Sequence, residues 1–300
     1  MERKQQRALI TGATGFLGSH LCMRLLAEGA AVHALCRPGS TGVVKGVAVS
    51  EAALDDAAGV ANVVRAVRPD YVFHLAAITS ASRDRSMVLP TFQTNLVSTV
   101  NLLNAVAEVE CRRVVLAGSL EEPESNAAAP SSPYAASKAA ATTYARMFWE
   151  LYKTPVTTAR IFMVYGPGQR DTKKLIPFTI LSLLRGEAPA VSAGTRLVDW
   201  VYIDDVVAGL ISLSRSPGIE GQSIDIGSGE LTSVRDVILS IAKAVGSKVQ
   251  PAFGAVPERP AEQVRAADTA RTAALTGWKP AVTLAEGLQR TVDFYREHKS

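Results

Sequence analysis

The stretch RALITGATGFLG, residues 7–18, decides the fold class because it joins a short apolar run to three regularly spaced glycines. RALIT (7–11) is typical of a buried strand, and apolar residues follow at helical spacing over 17–28. Glycines between the two elements allow a tight turn whose N–H groups can approach a ligand. A turn in which glycine only provides a positive φ is the alternative. At this position the spacing favours a dinucleotide pyrophosphate at the helix N-terminus, held by Gly12, Thr14, Gly15, Phe16, Leu17 and Gly18.

Strand-like runs alternate with helical patterns through the first half of the chain. The patterns predict strands at 31–35, 71–75, 113–117 and 157–162, and helices at 60–67, 92–109 and 133–152. Such alternation indicates parallel βαβ units, hence an α/β fold with a Rossmann-type doubly wound parallel sheet. After YGPG (165–168) prolines and glycines become denser. We therefore expect a dinucleotide-binding domain over 1–165 and a smaller, interleaved α/β substrate domain over 166–300.

Composition excludes several classes of protein. With 300 residues, 47% hydrophobic and 20% charged, the chain can bury a large core, which excludes wholesale disorder. No apolar run reaches the ~18 residues that span a bilayer. The net charge of +4 is too mild to indicate nucleic acid. Three cysteines without metal-ligand spacing argue against a disulfide scaffold or a zinc site. We expect no metal, no nucleic-acid or membrane partner, and a cytoplasmic location.

The end of the second strand bears on the choice between NAD and NADP. An acidic side chain there binds the ribose 2′-OH of NAD, whereas arginine accommodates the 2′-phosphate of NADP. Cys36 occupies the acidic slot and Arg37 follows it. We therefore expect NADP to be preferred over NAD, unless Arg37 is only a solvated loop charge.

A tyrosine, a lysine and a serine form a candidate catalytic set. Tyr134 and Lys138 are four residues apart at the start of a predicted helix and so share one face. A nearby cation stabilises phenolate, so Lys138 together with the positively charged nicotinamide is expected to lower the pKa of Tyr134 and allow proton transfer at neutral pH. Ser119 follows a strand and can hydrogen-bond the reacting oxygen. Each feature alone is common, and the order of all three with the glycine turn is what points to an oxidoreductase.

Together these motifs resemble the extended short-chain dehydrogenase/reductase family, in its sugar-nucleotide epimerase/dehydratase group. The similarity continues through HLAA (74–77), TNL (94–96), YGPG (165–168), DWVYIDD (199–205), Arg259-Pro260 and GWKP (277–280). The resemblance implies NAD(P), a Ser–Tyr–Lys catalytic set, and homodimers packed through the helices of Phe92 and Tyr134, although apolar faces there also suit intramolecular packing. It implies cofactor contacts by a further group of residues: Cys36, Arg37, Leu54, Leu75, Ala76, Ala77, Thr79, Ala117, Tyr134 and Lys138.

Some positions depart from the family pattern. Met163 and Val198 stand where the family places an asparagine and an arginine beside the substrate phosphates, and neither can neutralise a phosphate. Arg196 and Arg259 are the remaining candidates for substrate binding, unless they form surface ion pairs. Glu121 lies where dehydratases of the group carry a base, but Leu120 fills the neighbouring slot, where those enzymes place Asp or Ser. A solvated acidic loop is the alternative for Glu121.

The leading hypothesis is a 4-keto-deoxysugar reductase that uses NADPH, with a nucleotide sugar as substrate. The alternatives are an epimerase or 4,6-dehydratase, a reductase or dehydrogenase of a non-nucleotide ketone or alcohol, and a non-catalytic dinucleotide sensor. His74 lies in a strand and is expected to be a core residue. Asp205 is expected to cap a helix that begins at Val206.

Overall fold

The computed structural model describes residues 5–124, 128–257 and 263–298. The chain forms two compact units: Met1–Ile161 with Val207–Ile224 and Ala274–Gly277, and Phe162–Val206 with Asp225–Ala273 and Trp278–Ser300. A seven-stranded sheet has the order β10-β6-β5-β4-β1-β2-β3; its strands belong to the larger unit, except that β10 extends over both units. Its strands are β1 (Arg7–Thr11), β2 (Ala31–Cys36), β3 (Ala48–Glu51), β4 (Tyr71–His74), β5 (Arg113–Ser119), β6 (Val156–Ile161) and β10 (Ser223–Ile226).

Strands β1 to β6 are parallel, and helices connect most of them. The helices are α1 (Phe16–Ala27), α2 (Ala57–Val67), a 3-10 turn (Arg85–Met87), α3 (Val88–Thr91), a π-helical segment (Phe92–Val97), α4 (Ser98–Ala107) and α5 (Pro133–Tyr152). Leu9, Val64, Leu102, Val114 and Phe148 belong to one buried cluster in which α2, α4 and α5 cover the sheet. The expected parallel α/β sheet is confirmed.

Local chemistry explains the helix that carries the tyrosine. Ser132 caps α5 by accepting a hydrogen bond from the N–H of Ala135, at 3.1 Å. Pro133 occupies the first turn, where its missing N–H costs nothing. Lys153 ends the helix in the left-handed region with φ 56°. The helix therefore begins one residue before Tyr134 and presents Tyr134 and Lys138 at its first turns.

The smaller unit has its own sheet and helices. Its elements are β7 (Met163–Tyr165), α6 (Leu175–Leu184), β8 (Ala190–Val191), β9 (Leu197–Tyr202), β11 (Leu231–Ser233), α8 (Val234–Val245), β12 (Ala252–Phe253) and α10 (Leu284–Glu297); α7 (Ile203–Arg215) and α9 (Thr269–Thr276) each extend over both units. β9 pairs with β7 in parallel and with β11 in antiparallel orientation.

Three expectations are corrected. The edge strand β3 was not predicted, because it is short and largely exposed. The single helix expected over 92–109 is a π-helical segment followed by α4. Asp205 does not cap a helix at Val206, because α7 begins at Ile203; its carboxylate instead accepts hydrogen bonds from the N–H groups of Ala281 and Val282, both at 3.0 Å.

Candidate active site

Close backbone packing requires the first and last glycines of the β1–α1 turn. Gly12 has φ +72°, a conformation that side chains disfavour, and a Cβ there would lie 2.7 Å from the backbone nitrogen of Ala76. A Cβ on Gly18 would overlap the carbonyl oxygen of Gly12. The N–H of Gly15 donates to that same carbonyl oxygen at 2.9 Å. The turn therefore fits tightly between α1 and the segment after β4.

The N-terminus of α1 is suited to an anion. Gly15 is the N-cap residue of α1, so no capping side chain accepts a hydrogen bond from the amide groups of the first turn. The first turn also carries no acidic residue. A Cβ on Gly15 would meet only the carbonyl oxygen of Gly12, at 3.2 Å, which leaves open space beside the turn. Thr14, Phe16 and Leu17 are half-buried around it. Free N–H groups at the positive end of a helix fit a pyrophosphate, so these residues fit a dinucleotide cofactor.

The end of β2 carries groups of both charges. Cys36 is buried, and burial is the main cause that raises its thiol pKa, with the charge of Glu51 adding to it. Arg37 is exposed. Glu51, which pairs with Cys36 from β3, accepts a hydrogen bond from the N–H of Gly39 at 3.1 Å. A carboxylate thus lies beside the end of β2. It was missed because β3 was not predicted.

His74 at the end of β4 is neutral and has a defined tautomer. Thr99 Oγ1 donates to the carbonyl of Asn95 at 2.7 Å, so it can only accept from His74 Nε2–H, 3.1 Å away. His74 Nδ1 then accepts from Thr11 Oγ1 at 2.7 Å, and that hydroxyl accepts from the N–H of Ala76 at 3.2 Å. Burial lowers the pKa of His74 to about 3, and the charge of Lys138 adds to this. His74 is a core residue, as expected, and it holds the segment that packs on Gly12.

The other residues expected at the cofactor lie near the same edge of the sheet. Leu75, Ala76 and Ala77 are half-buried directly after β4, and Thr79 is exposed. Leu54 is half-buried, and its carbonyl accepts from Asn101 at 3.0 Å. Parallel strands bring their carboxyl ends to one edge, which is where open α/β sheets bind ligands.

Asn95 joins this edge to α5. It lies in the π-helical segment, and its amide accepts from the N–H of Ile78 at 2.8 Å and donates to the Ile78 carbonyl at 3.1 Å. It also donates to Ser137 Oγ at 2.9 Å. π-Helical turns are common at functional sites because they re-aim a side chain. Here the π-helical turn places the buried side-chain amide of Asn95 between α5 and the segment after β4.

Ser119, Tyr134 and Lys138 are brought together as expected. Lys138 Nζ donates to the carbonyl of Ala117 at 2.7 Å and lies 5.9 Å from the centre of the Tyr134 ring. Burial lowers the pKa of Lys138 to about 8, opposed by the negative charge of Glu122. Ser119 is the last residue of β5 and hydrogen-bonds the Tyr134 phenol, an interaction that favours phenolate.

In the protein alone, without the charge of a nicotinamide, the pKa of Tyr134 lies above its ordinary value. Burial raises it to about 12, and the charges of Glu122 and Glu121 add to this shift, while the Ser119 hydrogen bond opposes it. Desolvation of the phenolate outweighs the stabilising groups of the protein itself. Tyr134 is therefore a proton donor unless a further positive charge is brought close to it.

Two glutamates follow Ser119, and they differ. The N–H of Glu121 donates to Ser119 Oγ at 3.1 Å, and its side chain is half-buried. Leu120 is buried. Glu122 was not among the expected site residues, yet it is only 3% exposed and accepts from the N–H of Ser119 at 2.7 Å. The sequence feature that points to a buried Glu122 is Gly118, because a glycine there leaves room for the Glu122 carboxylate.

The residues expected at the substrate belong to the smaller unit. Met163 is half-buried in β7 and pairs with Trp200 of β9. Val198 is buried in β9, and Arg196, just before β9, donates to the carbonyl of Gln263 at 3.1 Å. Arg259 and Pro260 lie outside the described residues. Polar recognition by Met163 and Val198 side chains is excluded by their chemistry.

Asp199 organises the loops beside these residues. It is buried and accepts from the N–H and Oγ of Ser228, both at 2.7 Å, and from the N–H groups of Gly229 and Ala267, both at 2.9 Å. A carboxylate that accepts four such bonds fixes the backbone of two loops. Its role is structural.

Comparison with known proteins agrees with this geometry. Residues 8–227 match the NAD dependent epimerase/dehydratase family. The chain belongs to that family. A UDP-glucose 4-epimerase of Mycolicibacterium smegmatis is 34% identical over 97% of this chain and 98% of that protein. The dTDP-glucose 4,6-dehydratase 1 of Escherichia coli is 28% identical over 96% and 92%.

Solved structures of family members have the same fold. The UDP-glucose 4-epimerase of Thermus thermophilus, solved in complex with NAD, superposes with a TM-score of 0.85 at 30% identity, covering 98% of this chain and 100% of that one. A UDP-glucose 4-epimerase of Thermotoga maritima, solved with UDP-glucose, gives 0.89 at 24% identity, covering 98% and 100%. The chain is thus an enzyme of the extended short-chain dehydrogenase/reductase group, with an NAD-dependent epimerase/dehydratase type of activity.

Two negative findings apply to the described ranges. No helix in them is both long and apolar enough to span a bilayer. They also contain no group of three or more histidine, cysteine, aspartate or glutamate side chains placed to hold a metal ion.

Proposed function

We propose that the enzyme epimerises a nucleoside diphosphate sugar at C4, through a transient 4-ketone. The observation that carries this proposal is the set of Ser119, Tyr134 and Lys138 at the same sheet edge as the glycine turn. The full-length similarity to a UDP-glucose 4-epimerase supports the choice of substrate class.

Each side chain has a definable part in the reaction. A nicotinamide held at the glycine turn would supply a reversible hydride acceptor for C4. Ser119 donates a hydrogen bond to the oxygen on C4 and stabilises charge that develops there. Tyr134 takes the hydroxyl proton as hydride leaves and gives it back as hydride returns. Lys138 stabilises the phenolate form in the interval. The ketone must turn its other face before the return step, and this inverts C4.

Dehydration is less well supported, because elimination across C5 and C6 needs both a base and an acid. Glu121 is placed to be a base beside Ser119. Leu120, in the slot where dehydratases carry the acid, is buried and has no proton to give. A Glu121→Gln variant that keeps epimerising while producing no 4-keto-6-deoxy sugar distinguishes these roles.

A 4-keto-deoxysugar reductase is the second candidate, and one observation favours it. β2 ends in Cys36 without a carboxylate, and the exposed Arg37 can pair with the 2′-phosphate of NADP. A preference for NADP would suit net reduction by an exchangeable cofactor. Against this, Glu51 adds a negative charge beside the end of β2.

The experiment offers the purified enzyme UDP-glucose and TDP-glucose with NAD, and separately 4-keto sugar nucleotides with NADPH. Conversion to the C4 epimer without net change in absorbance at the reduced-nicotinamide band supports epimerisation. Loss of that absorbance with a 4-keto substrate supports the reductase instead. If UDP, TDP, GDP and CDP all fail to raise the melting temperature, the substrate is not nucleotide-linked and a ketone or alcohol without a nucleotide takes its place.

We also infer that two copies pair through α5, α3 and the π-helical segment. Leu89, Phe92, Tyr144, Leu151 and Tyr152 are exposed there, with Leu89 at 70%. Exposed large apolar side chains on neighbouring helices are typical of an interface. Light scattering coupled to size exclusion should give a dimer mass, and Leu89→Glu should reduce it to a monomer mass.

A further inference from the structure

Glu122 is a buried carboxylate directly behind the catalytic serine. It follows β5 by three residues and is 3% exposed. One oxygen accepts from the N–H of Ser119 at 2.7 Å, and the other accepts from Thr142 Oγ1 of α5 at 2.8 Å. Both oxygens therefore have a hydrogen-bond partner, and the contact with the Ser119 N–H requires an acceptor.

The fold reserves space for this carboxylate. A Cβ on Gly118 would lie 2.6 Å from Glu122 Oε1 and 2.7 Å from Thr158 Cγ2. Contacts that short require a neighbour to shift, so a side chain at position 118 would displace the side chains of Glu122 and Thr158. The buried position of Glu122 thus depends on a glycine in the strand that ends at the catalytic serine.

Charged and titratable groups face the site from each neighbouring element. Lys138 and Tyr134 face it from α5 and Arg160 from β6, while Glu121 lies on the same turn as Glu122. His74 of β4 faces Lys138 and is neutral. Burial raises the pKa of Glu122, and its two hydrogen bonds with the charges of Arg160 and Lys138 oppose that rise.

We propose that Glu122 is a positioning residue that holds the Ser119 turn and, as a buried anion, keeps Lys138 cationic. Burial alone drives a lysine towards the neutral amine, and a neutral amine cannot stabilise the phenolate of Tyr134. The negative charge of Glu122 compensates for part of that burial. The same charge disfavours phenolate, so Glu122 keeps Tyr134 protonated until a cation approaches. The consequence for turnover rests on the proposed function of Tyr134.

The titration of Lys138 tests this proposal without substrate or cofactor. Carbon-13 at Cε of lysine reports ammonium ionisation by NMR, and the Lys138 signal is the one lost in Lys138→Arg. In the native protein its midpoint is expected near pH 8. In Glu122→Gln, which keeps the size and one acceptor oxygen, the midpoint should fall by at least about one pH unit, the usual effect of one nearby charge. An unchanged midpoint overturns the proposal.

Thr142→Val is the matched control, because it removes a hydrogen bond to Glu122 and leaves the charge. Its Lys138 midpoint should stay within a few tenths of the native value; a shift as large as that of Glu122→Gln would mean that packing, and not charge, is responsible. Should Glu122→Gln fail to fold, Glu122 Cδ in native protein should still show an inflection near pH 8, when Lys138 loses its charge. Absence of that inflection overturns the proposal equally.

Kinetics supply a separate readout. In Glu122→Gln, kcat/KM in the oxidation direction should fall above the lowered Lys138 midpoint, because a neutral amine no longer stabilises the phenolate of Tyr134. The two proposals can fail separately. If the Lys138 midpoint shifts in Glu122→Gln but the native enzyme turns over no sugar nucleotide, the proposed function is rejected and the role of Glu122 stands.

Discussion

Substituting Gly18 by alanine should separate α1 from the turn that precedes it. The added Cβ would overlap the carbonyl oxygen of Gly12 and lie 2.8 Å from its carbonyl carbon and 2.9 Å from Cα of Ala13. These are backbone atoms, so no side-chain rotation relieves the overlap and the helix must move.

The magnitude follows from two opposing effects. Overpacking of this kind costs about 1–3 kcal/mol, and we take the upper end because backbone must shift. Alanine in a helix gains about 1 kcal/mol over glycine. The free energy of unfolding should therefore fall by about 2 kcal/mol, which lowers the melting temperature by roughly 3 °C at this chain length. The displaced amide groups should raise the dissociation constant for NAD at least about tenfold, or about 1.4 kcal/mol.

Gly15→Ala is the comparison that makes the assay specific. Gly15 has φ −76°, which any residue adopts, and its Cβ would be 3.2 Å from the Gly12 oxygen. This variant should unfold within about 1 kcal/mol of the native protein and still bind NAD more weakly, because the methyl group fills the space beside the helix N-terminus. Calorimetric melting and NAD titration of both variants give the answer. Native stability and native affinity in Gly18→Ala would refute the packing argument.

Three further predictions concern the site. Tyr134→Phe should lower kcat by about 10²–10⁴-fold, the usual contribution of a positioned acid–base group, while the dissociation constant for NAD changes little; turnover close to the native rate would remove Tyr134 from the chemistry. Arg37→Ala should weaken NADP binding much more than NAD binding in parallel titrations, and equal losses would show that Arg37 is only a surface charge. For His74, the unfolded chain binds a proton below pH 6.5 whereas the buried ring stays neutral to about pH 3, so stability falls as pH falls through this window. Native protein should therefore lose about 2 kcal/mol more than His74→Gln between pH 6.5 and 5 in urea unfolding, and equal losses would contradict the buried neutral ring.

Much of the fold could be predicted because its signals are local. The bounds of α5 follow from a serine cap, a proline and an apolar pattern within one stretch of chain. β3 has no such signal, since Val49 is half exposed and the strand is recognised only by its pairing with β2. The π-helical segment was missed for a related reason: an apolar pattern shows that a segment is helical but does not show where one extra residue is inserted into a turn.

The site residues also divide into those with a local sequence signal and those without one. Tyr134 and Lys138 meet because residues four apart share a helix face, which spacing alone shows. Glu122 reads as part of a solvated acidic loop, and only the inward turn of its side chain towards Thr142 makes it part of the site. Asp205 looks like a helix cap, yet its partners are Ala281 and Val282, far along the chain.

The pKa values of the tyrosine and the lysine show how base strength can depend on the redox state of the cofactor. Burial moves both groups towards their neutral forms, Tyr134 to about 12 and Lys138 to about 8. Tyr134 is then a poor base at neutral pH in the protein alone, and Lys138 stays largely cationic there. A positive charge placed over the phenol lowers its pKa, and the oxidised nicotinamide carries such a charge whereas the reduced ring does not. Tyr134 should therefore accept a proton only when a hydride acceptor is bound and become a donor again once the hydride has moved. Proton transfer and hydride transfer therefore both depend on the positive charge of the oxidised nicotinamide. The buried Glu122 strengthens this dependence, because its negative charge disfavours the phenolate of Tyr134 until that positive charge is present.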